Sequence, residues 1–286
     1  MIRSNTYRIY WLLLASCYFY MAFIPYYIII LFVVILIDYS AGIKIEKCIG
    51  RARRSWLIAS LMANIGLLAM FKYYNFFNSN IEQIATLLNW NYGIPYLRLI
   101  LPIGLSFHTF QSMSYTIEVY KGNYKAEKNL AIYALYVLFY PQLVAGPIER
   151  PQNLLPQFRE NHRFDYQNVR TGLMMMLWGL FKKIVIADRL SIYVNQVYSN
   201  PDKYHGWAVL VAIFFFAFQI YCDFSGYSDI AIGAARVMGI RLMTNFDYPY
   251  SAKSISEFWH RWHISLSTWF RDYFYISLGG NRVGKW

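Results

Sequence analysis

The residues best suited to chemistry lie in one aromatic segment late in the sequence, residues 256–275. His260 and His263 stand three residues apart in it, which places both on one face of a helix. Histidine titrates at about pH 6.5 and can accept a hydroxyl proton at neutral pH. A His-x-x-His pair can also bind a metal, but no recognisable third ligand lies nearby, so we predict no metal site. The pattern therefore favours acid–base chemistry.

Further polar groups surround His263. Ser267 follows it by four residues and is placed to orient its imidazole ring. Trp259, Trp262 and Thr268 carry hydrogen-bond donors suited to a developing oxyanion. A helix facing lipid would not carry so many polar groups, because each needs a partner in hydrocarbon. We therefore expect this segment to line a polar cavity inside the protein.

A second polar motif follows an apolar run. Asp223 and Asp229 flank a Ser-Gly-Tyr-Ser sequence, which we interpret as a turn at the end of a membrane helix. A carboxylate at that depth belongs to a functional site or a structural network. For Asp229 we favour a helix-end cap with bundle hydrogen bonds, whereas for Asp223 both interpretations stay open. Ser225 and Ser228 can hydrogen-bond Asp223, so we predict that it faces the protein interior.

The other histidines and the cysteines give no second site. His108 lies in an apolar stretch and is predicted to be a hydrogen-bonded core residue, while His162 and His205 lie in polar loops and are predicted at the surface. The three cysteines are far apart and form no CxxC pair or disulfide framework. Residues Gly279–Lys285 match GxxxxGK, but the required Ser or Thr is replaced by Trp286, so we treat the match as chance.

Composition identifies the surroundings in which these residues work. Hydrophobic residues make up 57% of the 286-residue chain and charged residues only 15%, whereas soluble domains carry about 25% charged residues. Aromatic residues make up 20%, which excludes intrinsic disorder. The 27 tyrosines are amphipathic and gather where membrane meets water. The sequence therefore predicts a multi-pass membrane protein, with the lipid bilayer as its first partner.

The net charge of +12 is explained by where the basic residues lie. Residues 44–54 carry five Lys or Arg, residues 75–97 carry none, and residues 121–128 are basic again. This alternation is typical of cytoplasmic and opposite-side loops in membrane proteins. We therefore place the N-terminus, 44–54 and 121–128 in the cytoplasm, and we exclude nucleic acid as a partner.

Apolar periodicity predicts the helices. The predicted membrane helices are Tyr7–Phe23, Tyr26–Ser40, Ser55–Tyr74, Leu97–Val119, Leu130–Ala145 and Trp207–Tyr221. Leu154, Leu155 and Phe158 form a stripe that predicts a short amphipathic helix at the membrane interface, with a solvated loop as the alternative. Residues 169–198 are helical in pattern but carry charges in the middle, which must face protein, water or the interface, or divide the segment into two helices. These charges are Lys182, Lys183, Asp188 and Arg189.

Five segments, in order along the chain, resemble the membrane-bound O-acyltransferases, and in particular their bacterial alginate O-acetyltransferase-like branch. They are Leu101–Phe107 (LPIGLSF), Ala145–Arg150 (AGPIER), Gly179–Lys183 (GLFKK), Phe218–Asp229 (FQIYCDFSGYSD) and Phe258–Asn281. The resemblance implies an all-α, multi-pass transmembrane helical bundle with irregular, partly re-entrant or interfacial helices around a polar tunnel. It also implies transfer of an acyl group from a thioester donor to a hydroxyl acceptor.

The resemblance assigns roles to individual residues. In the Arg-Trp-His-x-Ser-Leu-Ser motif that begins at Arg261, His263 matches a polar position lining the reaction chamber, and we name it as the catalytic residue. The predicted supporting residues are Trp259, Arg261, Trp262, Ser267, Thr268, Asp223 and Ser225. With Trp259, Trp262 and Ser267, His263 is expected to line the chamber and steady the thioester carbonyl. No role is carried over to His260.

The family's most invariant histidine, its expected general base, lies in a Trp-His-Gly-type segment downstream of this motif. We therefore interpret 1–286 as a single membrane domain that is incomplete at the C-terminus and short at the N-terminus. No bound cofactor is implied, because acetyl-CoA or another acyl thioester is a substrate.

The sequence as a whole predicts an O-acyltransferase of the bacterial cytoplasmic membrane. The resemblance implies an extracytoplasmic acyltransferase partner and a polysaccharide acceptor. Two alternatives remain. One is a transporter or flippase with Asp223 and Lys182 on its substrate path, which leaves the aromatic–histidine segment unexplained. The other is a non-catalytic scaffold.

Overall fold

Long apolar runs form long helices in the computed structural model, which describes residues 5–97, 102, 104–144 and 146–282. Every regular element among these residues is helical. Three of the described helices are long and apolar enough to cross a membrane: Tyr27–Lys47, Gly50–Leu87 and Trp207–Val237. The prediction of an all-helical membrane protein is confirmed to this extent. The chain divides into two compact units, one of residues 1–143 with 150–152 and the other of residues 144–149 with 153–286.

The described part of the first unit contains five helices. They are α1 (Asn5–Met21), α2 (Tyr27–Lys47), α3 (Gly50–Leu87), α4 (Leu105–Lys121) and α5 (Leu130–Leu138). The predicted break between the first two helices is confirmed at Pro25, where two turns separate α1 from α2. Most of α4 is buried, including several hydroxyl and amide side chains, so this helix belongs to the interior of the unit.

Several predicted helix boundaries in this unit are wrong. We expected α3 to end at Tyr74, but it continues to Leu87, since residues 75–87 contain no Gly or Pro and Asn75 is tied to the backbone of Leu97. The predicted start of α4 at Leu97 lies among residues partly outside the described ones, and the helix begins only after Gly104, whose φ is 71°. The helix predicted at Leu130–Ala145 also ends earlier than expected, since α5 stops at Leu138.

The second unit contains the motifs of the predicted site. Its elements are α6 (Pro151–Arg159), whose first two residues are grouped with the first unit, α7 (Tyr166–Leu180), a π-helical segment (Phe181–Ala187), α8 (Asp188–Tyr198), α9 (Trp207–Val237), α10 (Ile255–Arg261), α11 (Ile264–Trp269) and a second π-helical segment (Phe270–Tyr275). The helix predicted at Leu154–Phe158 exists, but its apolar stripe is fully buried in the protein. The prediction that this stripe faces the membrane interface is therefore wrong.

Helices α7 and α9 run antiparallel and touch backbone to backbone at two levels. A Cβ atom on Gly172 would lie 2.6 Å from the carbonyl oxygen of Gly233, and one on Gly179 would lie 2.5 Å from that of Gly226. The two glycines on each helix are seven residues apart, so about two helical turns separate the two contacts. Only glycine permits such an approach, and we call these four residues the glycine seam.

Candidate functional site

The aromatic segment folds as two short helices, not one. Ser254 caps α10 by accepting from the backbone N–H of Glu257, and α10 ends at Arg261. His263 then adopts a left-handed backbone conformation, with φ 45°, before α11 begins. The prediction that His260 and His263 share one helix face is therefore wrong.

The kink at His263 is held by an extended stretch of chain at residues 240–248. The backbone N–H of Ile264 donates to the carbonyl oxygen of Asn245 at 2.9 Å, and that of Asp247 donates to the carbonyl oxygen of Arg261 at 3.0 Å. These two bonds bracket the kink, so this stretch positions the imidazole ring. Helical periodicity in the sequence could not predict either of these two backbone hydrogen bonds.

His263 is buried, with 9% of its surface exposed. Its ring meets Phe224 edge to face, with ring centroids 4.6 Å apart, and lies 6.4 Å from the ring of Phe246. Its Nδ1 lies 3.2 Å from Oδ1 of Asn245. Burial lowers the pKa of His263 to about 4, so the imidazole is neutral at physiological pH.

The orientation of Asn245 fixes the tautomer of this ring. Its Oδ1 also accepts from the backbone N–H of Ser265 at 3.2 Å and from the Ser265 hydroxyl at 2.9 Å, so this atom is the amide oxygen. An amide oxygen facing Nδ1 requires a proton on Nδ1, which leaves the lone pair on Nε2. The imidazole is therefore held as a hydrogen-bond acceptor at Nε2.

Asn245 is a residue of the candidate site that the sequence analysis did not single out. It is 1% exposed, and its Nδ2 donates to the hydroxyl of Ser228 on α9 at 3.3 Å. One side chain thus links α9, the extended stretch and the start of α11. The sequence offered little signal, because Asn245 lies in a mixed stretch with Arg241, Thr244 and Asp247 ahead of Pro249.

Trp262 belongs to a dense aromatic cluster. Its ring packs against those of Phe246, Phe258, Tyr221 and Tyr250, with centroid separations of 5.1, 5.5, 6.1 and 6.2 Å. Phe246 therefore lies between Trp262 and His263 and contacts both. The predicted residues Trp262 and His263 are brought to the same wall of the unit.

Three other predicted residues line a separate cavity of about 300 Å³. The side chains around it are Trp259, His260, Ile264, Ser267, Thr268 and Arg271. Ser267 donates to the carbonyl oxygen of Trp262 at 3.2 Å, and Thr268 donates to that of Ile264 at 2.7 Å. Both hydroxyl protons are therefore engaged with backbone, so Ser267 does not orient His263 as predicted, and Thr268 does not offer its proton to an oxyanion in this conformation.

His260 and Arg261 have mainly local partners. Nδ1 of His260 lies 2.7 Å from the carbonyl oxygen of Ser256, which places the proton on Nδ1 in the neutral ring. Arg261 pairs with Glu257 at 2.6 Å, one turn earlier on α10, and donates to Ser251 at 3.0 Å. Arg261 thus braces α10 rather than facing the cavity.

Three of the four charges in the middle of residues 169–198, those of Lys182, Lys183 and Asp188, form ion pairs within the second unit, whereas Arg189 is exposed. The π-helical segment presents Lys182 to Asp229 at 2.5 Å and to the hydroxyl of Ser225 at 3.0 Å. The next residue, Lys183, reaches Asp223 at 2.6 Å and Asp188 at 2.8 Å. Of the alternatives left open by the sequence, contact with protein is the one found for the two lysines.

The predicted turn around Asp223 and Asp229 is wrong, because α9 runs through both residues without a break. Asp229 is an ion-pair partner of Lys182 and not a helix-end cap. Asp223 has a polar partner in Lys183, but its side chain is 43% exposed and does not contact Ser225 or Ser228 as expected. The SGYS motif is helical because its small residues pack against α7 at the glycine seam.

The Lys182–Asp229 pair borders a second cavity, of about 400 Å³. Its lining residues are Met174, Met175, Trp178, Lys182, Tyr221, Asp229, Phe246 and Tyr248. Phe246 is common to this cavity and to the wall that carries His263. His263 itself lines neither cavity, and Phe246 is the residue that links its ring to the wall of this one. A neutral imidazole with an acceptor nitrogen can take a proton from a hydroxyl group.

The remaining candidates are not among the residues that line these cavities. His108 is buried, and its Nδ1 lies 3.0 Å from the carbonyl oxygen of Val137, which confirms the core interpretation. His205 is exposed as predicted, whereas His162 is half-buried against Gly239. Lys285 of the chance phosphate-loop match lies outside the described residues, as do parts of the first two family-like motifs. Among the described residues no three His, Cys, Asp or Glu side chains converge as metal ligands.

Comparison with known proteins gives a consistent result. Residues 126–286 match the model of the membrane-bound O-acyltransferase family. The chain is 42% identical, over 98% of its length, to a protein of Pseudomonas aeruginosa described as a probable alginate O-acetylase, of which it covers 54%. It is 37% identical to a peptidoglycan O-acetyltransferase of Helicobacter pylori, with 96% of this chain and 56% of that protein covered.

A more distant relative is a teichoic acid D-alanyltransferase of Bacillus subtilis, which is 30% identical over 64% of this chain and 47% of its own length. The chain therefore spans about half the length of the relatives that it matches.

Proposed function

The chain belongs to the membrane-bound O-acyltransferase family, and from this premise we propose that the protein transfers an acyl group, in the first instance acetyl, from a thioester donor to a hydroxyl of an envelope or extracellular polysaccharide. The donor is acetyl-CoA or another acyl thioester, and no cofactor is bound. The named relatives act on alginate, peptidoglycan and teichoic acid, which supports a polymeric acceptor rich in hydroxyl groups.

The observation that carries this proposal is the buried, neutral His263 held through Nδ1 by Asn245. In the proposed reaction the acceptor hydroxyl donates its proton towards an imidazole nitrogen while its oxygen attacks the thioester carbonyl carbon. The C–S bond then breaks, and the leaving thiolate takes up a proton. With its lone pair on Nε2, His263 suits contact with the acceptor hydroxyl better than donation to the thioester carbonyl, which was its expected role.

We propose that the protein works in the bacterial cytoplasmic membrane with its N-terminus in the cytoplasm. In this proposal its helices surround a polar tunnel. An extracytoplasmic acyltransferase partner completes delivery to the polysaccharide in this proposal. The cavity beside Lys182 and Asp229 supports a polar path within the second unit. The transport alternative placed Asp223 and Lys182 on a substrate path as buried charges. Both are ion-paired, and the Asp223 side chain is 43% exposed, which weakens that alternative.

The test is acyl transfer from a labelled acetyl thioester to polysaccharide in membranes that contain the complete cellular protein. His263→Ala is expected to lower the rate by about 10²–10⁴ while protein level and membrane insertion stay unchanged. His260→Ala is the matched control, because His260 is bonded to its own helix backbone and should cost less than tenfold, roughly. Loss of transfer in the His260 variant with retention in the His263 variant would show that the wrong histidine was chosen.

A further inference from the structure

A fully buried carboxylate just before α6 contacts the stretch of chain at residues 240–248. Glu149 belongs to the Ala145–Arg150 (AGPIER) segment of the family resemblance, and it is 0% exposed. Its Oε1 accepts from the backbone N–H of Met243 at 2.5 Å, and its Oε2 accepts from the side-chain amide of Asn153 at 2.5 Å. Because donors face both oxygens, the side chain is suited to act as a carboxylate. Glu149 therefore binds the stretch from the side of α6.

A second side chain from α6 binds the same stretch. Nε2 of Gln157 donates to the carbonyl oxygen of Arg241 at 2.9 Å, and the backbone N–H of Arg241 donates to Oε1 of Gln157 at 2.8 Å. The amide thus pairs with both backbone groups of one residue, as an adjacent strand does in a sheet. The helix that carries it is anchored by its buried apolar residues Leu154, Leu155 and Phe158. We therefore regard α6 as the support of the stretch.

The other end of the stretch holds the kink at His263. Arg241 and Met243 are bonded to side chains from the α6 side, whereas Asn245 and Asp247 are bonded to the residues of the kink. Met243 and Asn245 are only two residues apart, roughly 7 Å along an extended chain. A shift of the first is therefore expected to move the second, and with it the amide oxygen that faces the imidazole.

We propose that Glu149 is a positioning residue for acyl transfer, an inference that rests on the function proposed for His263. It acts through Met243 and Asn245, which place the ring and keep its proton on Nδ1. A carboxylate binds a backbone N–H about twice as strongly as a neutral acceptor does. Without this acceptor the buried N–H of Met243 would lack its partner, which favours rearrangement of the stretch.

The first experiment measures transfer kinetics of the complete protein in membranes. Glu149→Ala is expected to lower kcat by about 10–100-fold with little change in KM, because a misplacement of about 1 Å costs up to about a hundredfold. Glu149→Gln keeps an oxygen for the Met243 N–H, and its amide can pair with Asn153 after that side chain turns, so kcat should stay within about fivefold of the unaltered value. In a His263→Ala background, Glu149→Ala should change the rate by less than about twofold, since the base that it positions is gone.

A second measurement does not depend on transfer. In the purified complete protein with isotope-labelled histidine, the nitrogen NMR signals of His263 are identified by their loss in His263→Ala. The unaltered protein and Glu149→Gln should show one tautomer, protonated at Nδ1. Glu149→Ala should show shifts averaged between the two tautomers, because Asn245 no longer holds the ring.

Gln157→Ala decides the question if Glu149→Ala does not fold, because it removes the two bonds to Arg241 at a half-buried position. It should lower kcat severalfold, again only when His263 is present. Gln196→Ala is the matched control, since Gln196 lies on α8 and donates to the hydroxyl of Tyr204 at 2.8 Å. Its kcat and its His263 signals should equal those of the unaltered protein.

Two results would overturn the proposal. One is an equal loss of rate on Glu149→Ala with and without His263, and the other is an unchanged Nδ1 tautomer in that variant. Full transfer by His263→Ala would instead refute the role proposed for His263. The tautomer measurement would then still decide whether Glu149 positions its ring.

Discussion

Removing one partner of the Lys182–Asp229 pair should destabilise the protein far more than removing both. The charged atoms are 2.5 Å apart, and the two side chains are only 10% and 24% exposed. Breaking a buried pair costs about 3–5 kcal/mol, because the remaining charge stays buried without compensation. We therefore expect Asp229→Asn to lower the free energy of unfolding by about 3 kcal/mol, the lower end, since Asp229 is partly exposed.

Replacing both residues by apolar side chains of similar volume should restore most of the loss. Lys182→Met combined with Asp229→Leu leaves no buried charge, and such exchanges are often neutral or stabilising by about 1–4 kcal/mol. A double-mutant cycle made of Lys182→Met, Asp229→Leu and their combination should therefore give a coupling energy of about 3 kcal/mol or more. In a thermal unfolding assay in detergent, the single variants should lose about 6–12 °C and the double variant much less.

The pair between Lys183 and Asp188 supplies the control. Its charged atoms are 2.8 Å apart, but the Asp188 side chain is 49% exposed. Exposed pairs contribute about 0–1 kcal/mol, so Asp188→Asn should change the midpoint by at most about 4 °C. If Asp229→Asn costs no more than Asp188→Asn, or if the double variant loses the sum of both single losses, the burial argument is refuted.

Three further outcomes follow from the geometry. Gly226→Ala should lower the free energy of unfolding by about 1–3 kcal/mol, because its Cβ would lie 2.8 Å from a backbone oxygen. Gly66→Ala is the control, since a Cβ there would meet open space and should not destabilise the protein. Equal unfolding midpoints for the two variants would contradict this reasoning. Cysteines placed at Ser55 and Ser79 of α3, about 36 Å apart, should react from opposite sides of the membrane with an impermeant reagent, and equal labelling of intact cells would reject this topology. Burial lowers the pKa of His263 to about 4, so protonation disfavours the folded form, and stability should fall as the pH drops from about 6.5 to 4. His263→Asn removes the titrating group, and asparagine tolerates the left-handed backbone at this position. The unfolding midpoint of this variant should therefore lose this dependence on pH.

Helices with a strong apolar pattern were predictable from the sequence, whereas their ends were not. The apolar runs located α2 and α9 because a membrane helix needs little beyond hydrophobicity and length. The end of α3 depended on Asn75 binding the backbone of Leu97, a contact 22 residues away. Likewise α9 continued through the SGYS motif because small residues there meet glycines of α7. Tertiary contacts decided these boundaries against local propensity.

The residues of the candidate site were predictable by type, and their grouping was not. Aromatic and polar density identified the segment that contains Trp259, Trp262 and His263. A helical repeat then placed neighbours on one face, but the left-handed His263 divided the segment and sent these side chains to different surroundings. Its ring partner, Asn245, is 18 residues away in an irregular stretch. Spacing rules cover one helix only and carry no information about such a partner.

The glycine seam has a mechanical consequence. With carbonyl oxygens and Cα atoms in contact at two levels, no side chain or lipid tail can enter between α7 and α9 there. Sliding one helix along the other would drive the bulky residues on either side of each glycine into the opposing backbone, so low-energy shear of the kind seen between loosely packed helices is blocked. The two helices are therefore expected to move together as one rigid body. A change in the shape of the cavity beside Lys182 and Asp229 would then come from side-chain rotation or from the stretch that carries Phe246 and Tyr248, and not from separation of α7 and α9.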